Sequence, residues 1–344
     1  MHVTNNPVPV YLDQNILSHL REGKSAREEL YQLFRRLGEN HAVFVYSMTH
    51  VDECRDSSQP EAFVQVMEEL PAYLMEVNKA SDQQATLSLG KARDLLLKQE
   101  DVTHQATRLM ESLLNVMHFA SGWLGDAEAL AIKDEMTAEM KAFWATLLSD
   151  CELDLLGVEA KGLAKRALIA AQDELTQVIR DLPFEQVRAD WKDAWSKLRE
   201  RLPASFAQLD EIPDEQAVSF VFSCLDESDR EIIQNQFPKD FWSKSEVRET
   251  GELAGLAFML FLCGLVRDRR VKSGANESRI QHFRGQFRDG VHIENAATCA
   301  VFITCDAGAA RLARSIYAYA GVKTKVVELK IAAPHTQLPR TSNS

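Results

Sequence analysis

A chain of 344 residues, 45% apolar and 26% charged, is long enough to bury a full core and leaves room for two domains. Its formal net charge of −12 excludes indiscriminate adhesion to polyanions, so any contact with nucleic acid must be local or mediated by a cation. The six cysteines, Cys54, Cys151, Cys224, Cys263, Cys299 and Cys305, form no Cys-x-x-Cys pair and no zinc spacing, which implies reduced thiols and a cytoplasmic setting.

The opening MHVTNNPVPV has neither the basic nor the long apolar region of a signal peptide, and no export is expected. VPVYLD, residues 8 to 13, is rich in β-branched and aromatic residues and predicts a strand that stops at an aspartate. QNILSHL follows with Ile16, Leu17 and Leu20 suited to one helix face, and a second helix is expected over 26–37. HAVFVYS, 41 to 47, reads as another apolar strand, after which MTHVDECRD turns back into helix. Strand, helices, strand, helix in so short a span implies parallel strands joined by crossovers.

From about residue 60 to 250 the pattern is helical, as in FVQVMEELPAYLMEV, ARDLLLKQ, TRLMESLLNVM and ALIAAQDELTQVI. The one weak strand candidate there is FAQLDEI, 206 to 212. Trp144, Trp191, Trp195 and Trp242 are expected in the core of this helical part. The run LAGLAFMLFLCGLV, 253 to 266, is too short to cross a bilayer and fits a buried helix, so no membrane association is expected. The α/β pattern then resumes with a helix over 286–297, strand AVFIT at 300–304, helix AGAARLARSIYAYAG at 307–321 and strand TKVVEL at 324–329. Gly321 falls where a helix C-terminus favours positive φ, and the last dozen residues read as a frayed tail.

Joining both strand-rich ends in one sheet aligns the strand C-termini along one edge, where open sheets of this class bind ligands. Asp13 and Asp306 each end a strand at that edge. An aspartate in such a place can simply cap the next helix, but Glu53 lies six residues past Ser47 on the helix after the second strand, and Asp289 lies 17 residues before Asp306. Four carboxylates brought together would repel and raise one another's pKa values unless a cation neutralised them. Their hard oxygens suit Mg²⁺ or Mn²⁺.

With VYLDQN opening, VYSMTHVDE next and DGVHIENAATCAVFITCD closing, the sequence resembles the PIN domain, a nuclease fold whose members are commonly metal-dependent ribonucleases. The likeness covers residues 7–57 and 285–330. It implies an α/β fold, a parallel-sheet, Rossmann-like domain, here interrupted by a large all-helical insertion: a first part over 1–58, the insertion over 59–250, a second part over 251–332 and a tail over 333–344. It implies Asp13, Glu53, Asp289 and Asp306 as catalytic, metal-binding acids, supported by Asn15, Ser47 and Thr304. The implied activity is endoribonuclease cleavage of RNA phosphodiesters with Mg²⁺ or Mn²⁺, leaving 5′-phosphate and 3′-hydroxyl ends. An inhibitory protein partner and a homo-oligomer both remain open.

Between residues 267 and 288, seven Arg or Lys stand against two acids, leading directly to Asp289. Arg267, Arg269, Arg270, Lys272, Arg284 and Arg288 form a candidate phosphate-backbone track, with His282, Phe283 and Phe287 available for stacking; the alternative is a solvated helix face. His50 and His292 lie close in sequence to the acids, where a histidine can bind metal or shuttle a proton; the expectation for both is a structural role or support of the acids. Cys305 has no base partner at recognisable spacing and reads as buried rather than nucleophilic. A haloacid-dehalogenase-type phosphatase would need an aspartate where Asn15 stands, and neither phosphate-binding glycine motif occurs. Two further readings stand beside the ribonuclease: a catalytically silent scaffold or regulatory module of the same fold, and a structure-specific deoxyribonuclease.

Overall fold

Alternation builds the first strand. Along β1 (Val8–Leu12) Val10 and Leu12 enter one apolar cluster while Tyr11 points to the opposite face, and all three are buried. The computed structural model describes residues 7–21, 23–77, 85–88, 92–97, 102–120, 126–150, 158–181, 183, 200, 211–224, 227, 251–262, 265–266 and 276–331.

After β1 come α1 (Gln14–Leu20), α2 (Arg27–Glu39), β2 (Ala42–Tyr46), α3 (Met48–Asp56), α4 (Pro60–Glu69), β3 (Tyr73–Val77), β4 (Ala85–Ser88) and α5 (Ala92–Leu97). Then α6 (Val102–Ala120), α7 (Asp126–Asp150), α8 (Val158–Asp181), α9 (Asp214–Ser223), α10 (Glu252–Leu262) and α11 (Asn276–Ala296) precede β5 (Val301–Thr304), α12 (Ala307–Ala320) and β6 (Lys325–Glu328). Among the described residues six strands form one sheet in the order β4-β3-β2-β1-β5-β6. Five run parallel, and β4 pairs antiparallel with β3.

The chain divides into two units, the first Met1–Leu97, Glu249–Leu253 and Val291–Ser344, the second Lys98–Arg248 and Ala254–Gly290. The first is the α/β unit. Its core gathers Val10 and Leu12, Ile16, Leu17 and Leu20 of α1, Phe34 of α2 and Phe44 of β2. Pro60 opens α4 at a position where its missing N–H costs nothing. Asp306 caps α12, and Gly321 ends it in the left-handed region at φ 67°.

The second unit is helical as far as it is described. Phe119, Ile132, Met136, Met140, Trp144 and Ile179 make its cluster, which places Trp144 in a core as expected. Trp191, Trp195 and Trp242 lie outside the described residues. Nearly every residue of α10 is buried, and no helix among the described residues is long and apolar enough to cross a membrane.

Two features differ from the sequence reading. FVQVMEELPAYLMEV is not helical throughout: α4 ends at Glu69, and β3 begins at Tyr73 as a third parallel strand beside β2. Pro71 supplies the break, since a proline cannot continue the helical hydrogen-bond ladder. The candidate strand 206–212 lies largely outside the described residues. The unit boundaries differ as well. The α/β unit runs on to Leu97 rather than 58, and the stretch from Ala254 to Gly290 belongs to the helical unit. Gly290 gives part of the physical reason, because a Cβ there would meet Ala254 O and Ala257 Cβ at 3.3 Å, so its bare backbone lets α11 approach α10 closely.

Candidate functional site

Strand order reverses at the centre of the sheet: β2 and β3 lie to one side of β1, β5 and β6 to the other. Crevices at such a switch point, beyond the strand C-termini, are where open α/β sheets bind ligands. Asp13 follows β1 and Asp306 follows β5, so both stand at that point.

Thr304, the last residue of β5, ties them together. Its fully buried hydroxyl donates to Asp13 Oδ2 at 2.6 Å and accepts the Asp306 N–H at 3.0 Å. Asn15 Nδ2 adds a second hydrogen bond to Asp13 Oδ2 at 3.1 Å, and the Asp13 N–H is fixed to Ile303 O at 2.9 Å. Asp306 Oδ1 accepts the Ala309 N–H at 2.9 Å, so this acid does cap its helix. Asp13 does not. It begins α1, yet its side chain makes no capping bond, and it is only 1% exposed. Burial pushes its carboxyl above the ordinary range, with His292 and the Thr304 hydrogen bond pulling the other way and Glu53 adding to the rise.

Glu53, on α3, reaches the same edge by a different route. Its Oε2 lies 3.0 Å from His292 Nε2. His292 Nδ1 lies 2.7 Å from Tyr11 Oη, which is itself 2.8 Å from Ser47 Oγ. Asn295 Nδ2 donates to Ser47 Oγ at 3.2 Å and to Thr49 Oγ1 at 3.1 Å. Ser47 and His50 form a reciprocal cap at the start of α3, with the Ser47 N–H on His50 Nδ1 at 3.1 Å. His50 Nε2 meets Leu12 O at 2.7 Å. A carbonyl only accepts and a backbone N–H only donates, so the His50 proton is on Nε2 and the ring is neutral. Burial, then the neighbouring His292, hold the His50 pKa well below its usual value.

Two hydrogen-bonded groups result, one of Asp13, Asn15, Thr304 and Asp306 and one of Glu53, His292, Tyr11 and Ser47, and Asp13 feels the charge of Glu53 and His292 across them. Asp289 lies on α11 one turn before His292, half-buried and within the helical unit. Arg288 is held by Glu111, with Nε at 2.7 Å and Nη2 at 3.1 Å from its two carboxylate oxygens. Arg267, Arg269, Arg270 and Lys272 lie outside the described residues, as do the side chains of Arg284, His282 and Phe283. Burial, then Asp13 and Asp306, push the Cys305 thiol up to about 12, which leaves no thiolate for nucleophilic chemistry. Tyr11 and Asn295 were not singled out from the sequence. Their partners lie 36 to 281 residues away, and the one local signal was Tyr11 as a large polar aromatic inside an otherwise apolar strand.

The donor chemistry fits a hard cation. Asp13, Glu53 and Asp306 each commit one carboxylate oxygen to an internal hydrogen bond and keep the other outside those bonds. Among the described residues, no group of three His, Cys, Asp or Glu side chains stands close enough to hold an ion as it is. Comparison of the chain with protein-family models, curated proteins and solved structures finds no match.

Proposed function

We propose that this chain is a metal-dependent endoribonuclease whose α/β unit carries the site and whose acids act on an RNA phosphodiester through Mg²⁺ or Mn²⁺. The observation that carries the reading is Asp13: a buried carboxylate at the strand-order switch point, positioned by Thr304 and Asn15, that does not cap its own helix. Burying an ionised group without a counter-charge is costly, and a cation bound at its second oxygen would offset that cost.

Asp13, Glu53 and Asp306 would hold the metal; Asp289, the fourth acid that the PIN resemblance assigns, belongs to the helical unit. A divalent ion bound there would polarise the phosphate and lower the pKa of a bound water. The protein's own part is positioning. Thr304 links two of the acids, Asn15 holds Asp13 from the other side, and His292 holds Glu53. RNA would be met by the basic stretch 267–284, with Arg288 left out because Glu111 already engages it.

Cleavage of mixed single-stranded RNA and DNA with Mn²⁺, Mg²⁺ or EDTA tests the reading. RNA cut only with metal, and at least ~100-fold more slowly by Asp13→Asn and Asp306→Asn, is expected; that is the scale on which losing one charge-stabilising group acts. Metal-dependent cleavage retained in both variants would overturn it, and DNA cut in preference to RNA would make the protein a deoxyribonuclease. A second reading, a catalytically silent module of the same fold, draws on Asp306 serving as a helix cap and on the lack of a ready three-ligand group among the described residues. Failure of the folded protein to bind Mn²⁺ would favour it.

A further inference from the structure

We propose that His292 is a positioning residue for Glu53, with its imidazole clamped between Tyr11 Oη and the Glu53 carboxylate so that the remaining carboxylate oxygen faces a divalent cation. This inference rests on the metal-dependent reading of the site.

The hydrogen-bond directions follow from the partners. A carboxylate only accepts, so His292 Nε2 carries a proton toward Glu53 Oε2 at 3.0 Å. His292 Nδ1 lies 2.7 Å from the Tyr11 hydroxyl, which donates to the ring when it is neutral and accepts from it when it is protonated, so the imidazole is held at both nitrogens in either state. The Ser47 hydroxyl can give its own proton to Tyr11 Oη at 2.8 Å while Asn295 Nδ2 donates to Ser47 Oγ. His50 cannot compete for the role, because its Nε2–H is committed to Leu12 O and its Nδ1 to the Ser47 N–H. A single hydrogen-bonded chain results, from Asn295 through Ser47, Tyr11 and His292 to Glu53.

Each link stands on a regular element: Tyr11 inside β1, Ser47 at the cap of α3, His292 and Asn295 one turn apart on α11. His292 is 1% exposed and packs edge-on against His50, ring centroids 4.6 Å apart, so the imidazole has little freedom to turn. Glu53 needs such a guide more than Asp13 does. Its longer side chain loses more rotamer freedom when held in one pose, and an imidazole N–H that fixes a metal-binding carboxylate is worth 10- to 100-fold in metal affinity where such outer partners have been removed.

The test is Mn²⁺ titration of the full chain by calorimetry, with folding checked by circular dichroism. Wild type should bind, and Glu53→Gln should bind more weakly. His292→Ala should lose ~10- to 100-fold in affinity, with His292→Gln regaining part of it through an amide N–H and Tyr11→Phe losing several-fold. In the double variant His292→Ala with Glu53→Gln, affinity should equal that of Glu53→Gln alone, because a residue acting through Glu53 has nothing left to position. Wild-type affinity in His292→Ala, or full additivity in the double variant, would overturn the inference. Should His292→Ala fail to fold, His292→Gln and Tyr11→Phe decide it: affinity unchanged in both rejects the role. If wild type binds no Mn²⁺, the metal reading falls and this inference with it. If binding depends on Asp13 but on neither His292 nor Tyr11, only this inference falls.

Discussion

His50 and Asp13 are both buried near the end of β1 and respond to acid in opposite senses. The folded chain holds His50 neutral with a pKa well below 6.5, whereas the unfolded chain takes up a proton as the pH falls through that value. The stability tied to His50 is therefore present above pH ~6.5 and lost on acidification, at a limiting rate of ~1.4 kcal/mol per pH unit. Urea unfolding at pH 7.5 and 5.5 should show a steeper loss in wild type than in His50→Gln. Asp13 has a raised pKa, so at neutral pH its ionised form weakens the fold, and the cost fades as the carboxyl protonates. Asp13→Asn keeps an oxygen for Thr304 and Asn15 and removes the charge; its Tm should rise by ~2–4 °C per kcal/mol recovered while activity is lost. Asp13, Thr304 and Asp306 were legible because they sit where apolar strands stop. Tyr11, His292 and Asn295 were not, because nothing in a strand's alternation or a helix's period announces a partner 281 residues away.

Helix ends carry measurable stability in this chain. After α2 the backbone of His41 sits at φ 68°, a left-handed position that glycine occupies without strain, and Gly321 meets the same demand after α12. His41→Gly should therefore stabilise and Gly321→Ala destabilise, each by ~1 kcal/mol in thermal unfolding. The helices and strands flanking the site were readable from period and punctuation. β3 was not, since residues 63–77 form one apolar-rich run in which a short strand after a helix looks like more helix. β4 is four residues long, ATLS, too short to carry an alternation of its own. The division between units escaped notice for a different reason: α10 and α11 each contribute residues to both, and periodicity reports a buried face without naming the core that buries it.

A molecule carrying a net charge of −12 can bind RNA only where its charge is locally reversed. Arg269→Glu with Arg270→Glu should weaken RNA binding across all sequences and reduce the slope of log affinity against log salt by ~1.4, the share of two single-strand phosphate contacts. Equal affinity and slope would remove residues 267–284 from the interface. The order of synthesis adds a constraint of its own. Val10 of β1 pairs with Val301 of β5, so 291 residues must leave the ribosome between one central strand and its neighbour (301 − 10). At ~5–20 residues per second that interval is roughly 15–60 s, during which β1 presents a bare row of amides and carbonyls to any other nascent chain. Arrested chains ending before Val301 should be cut by protease within β1 and β2, and chains extended past Glu328 should resist. The central strand pair is thus completed late in translation, and the yield of native protein depends on how well the waiting edge is shielded.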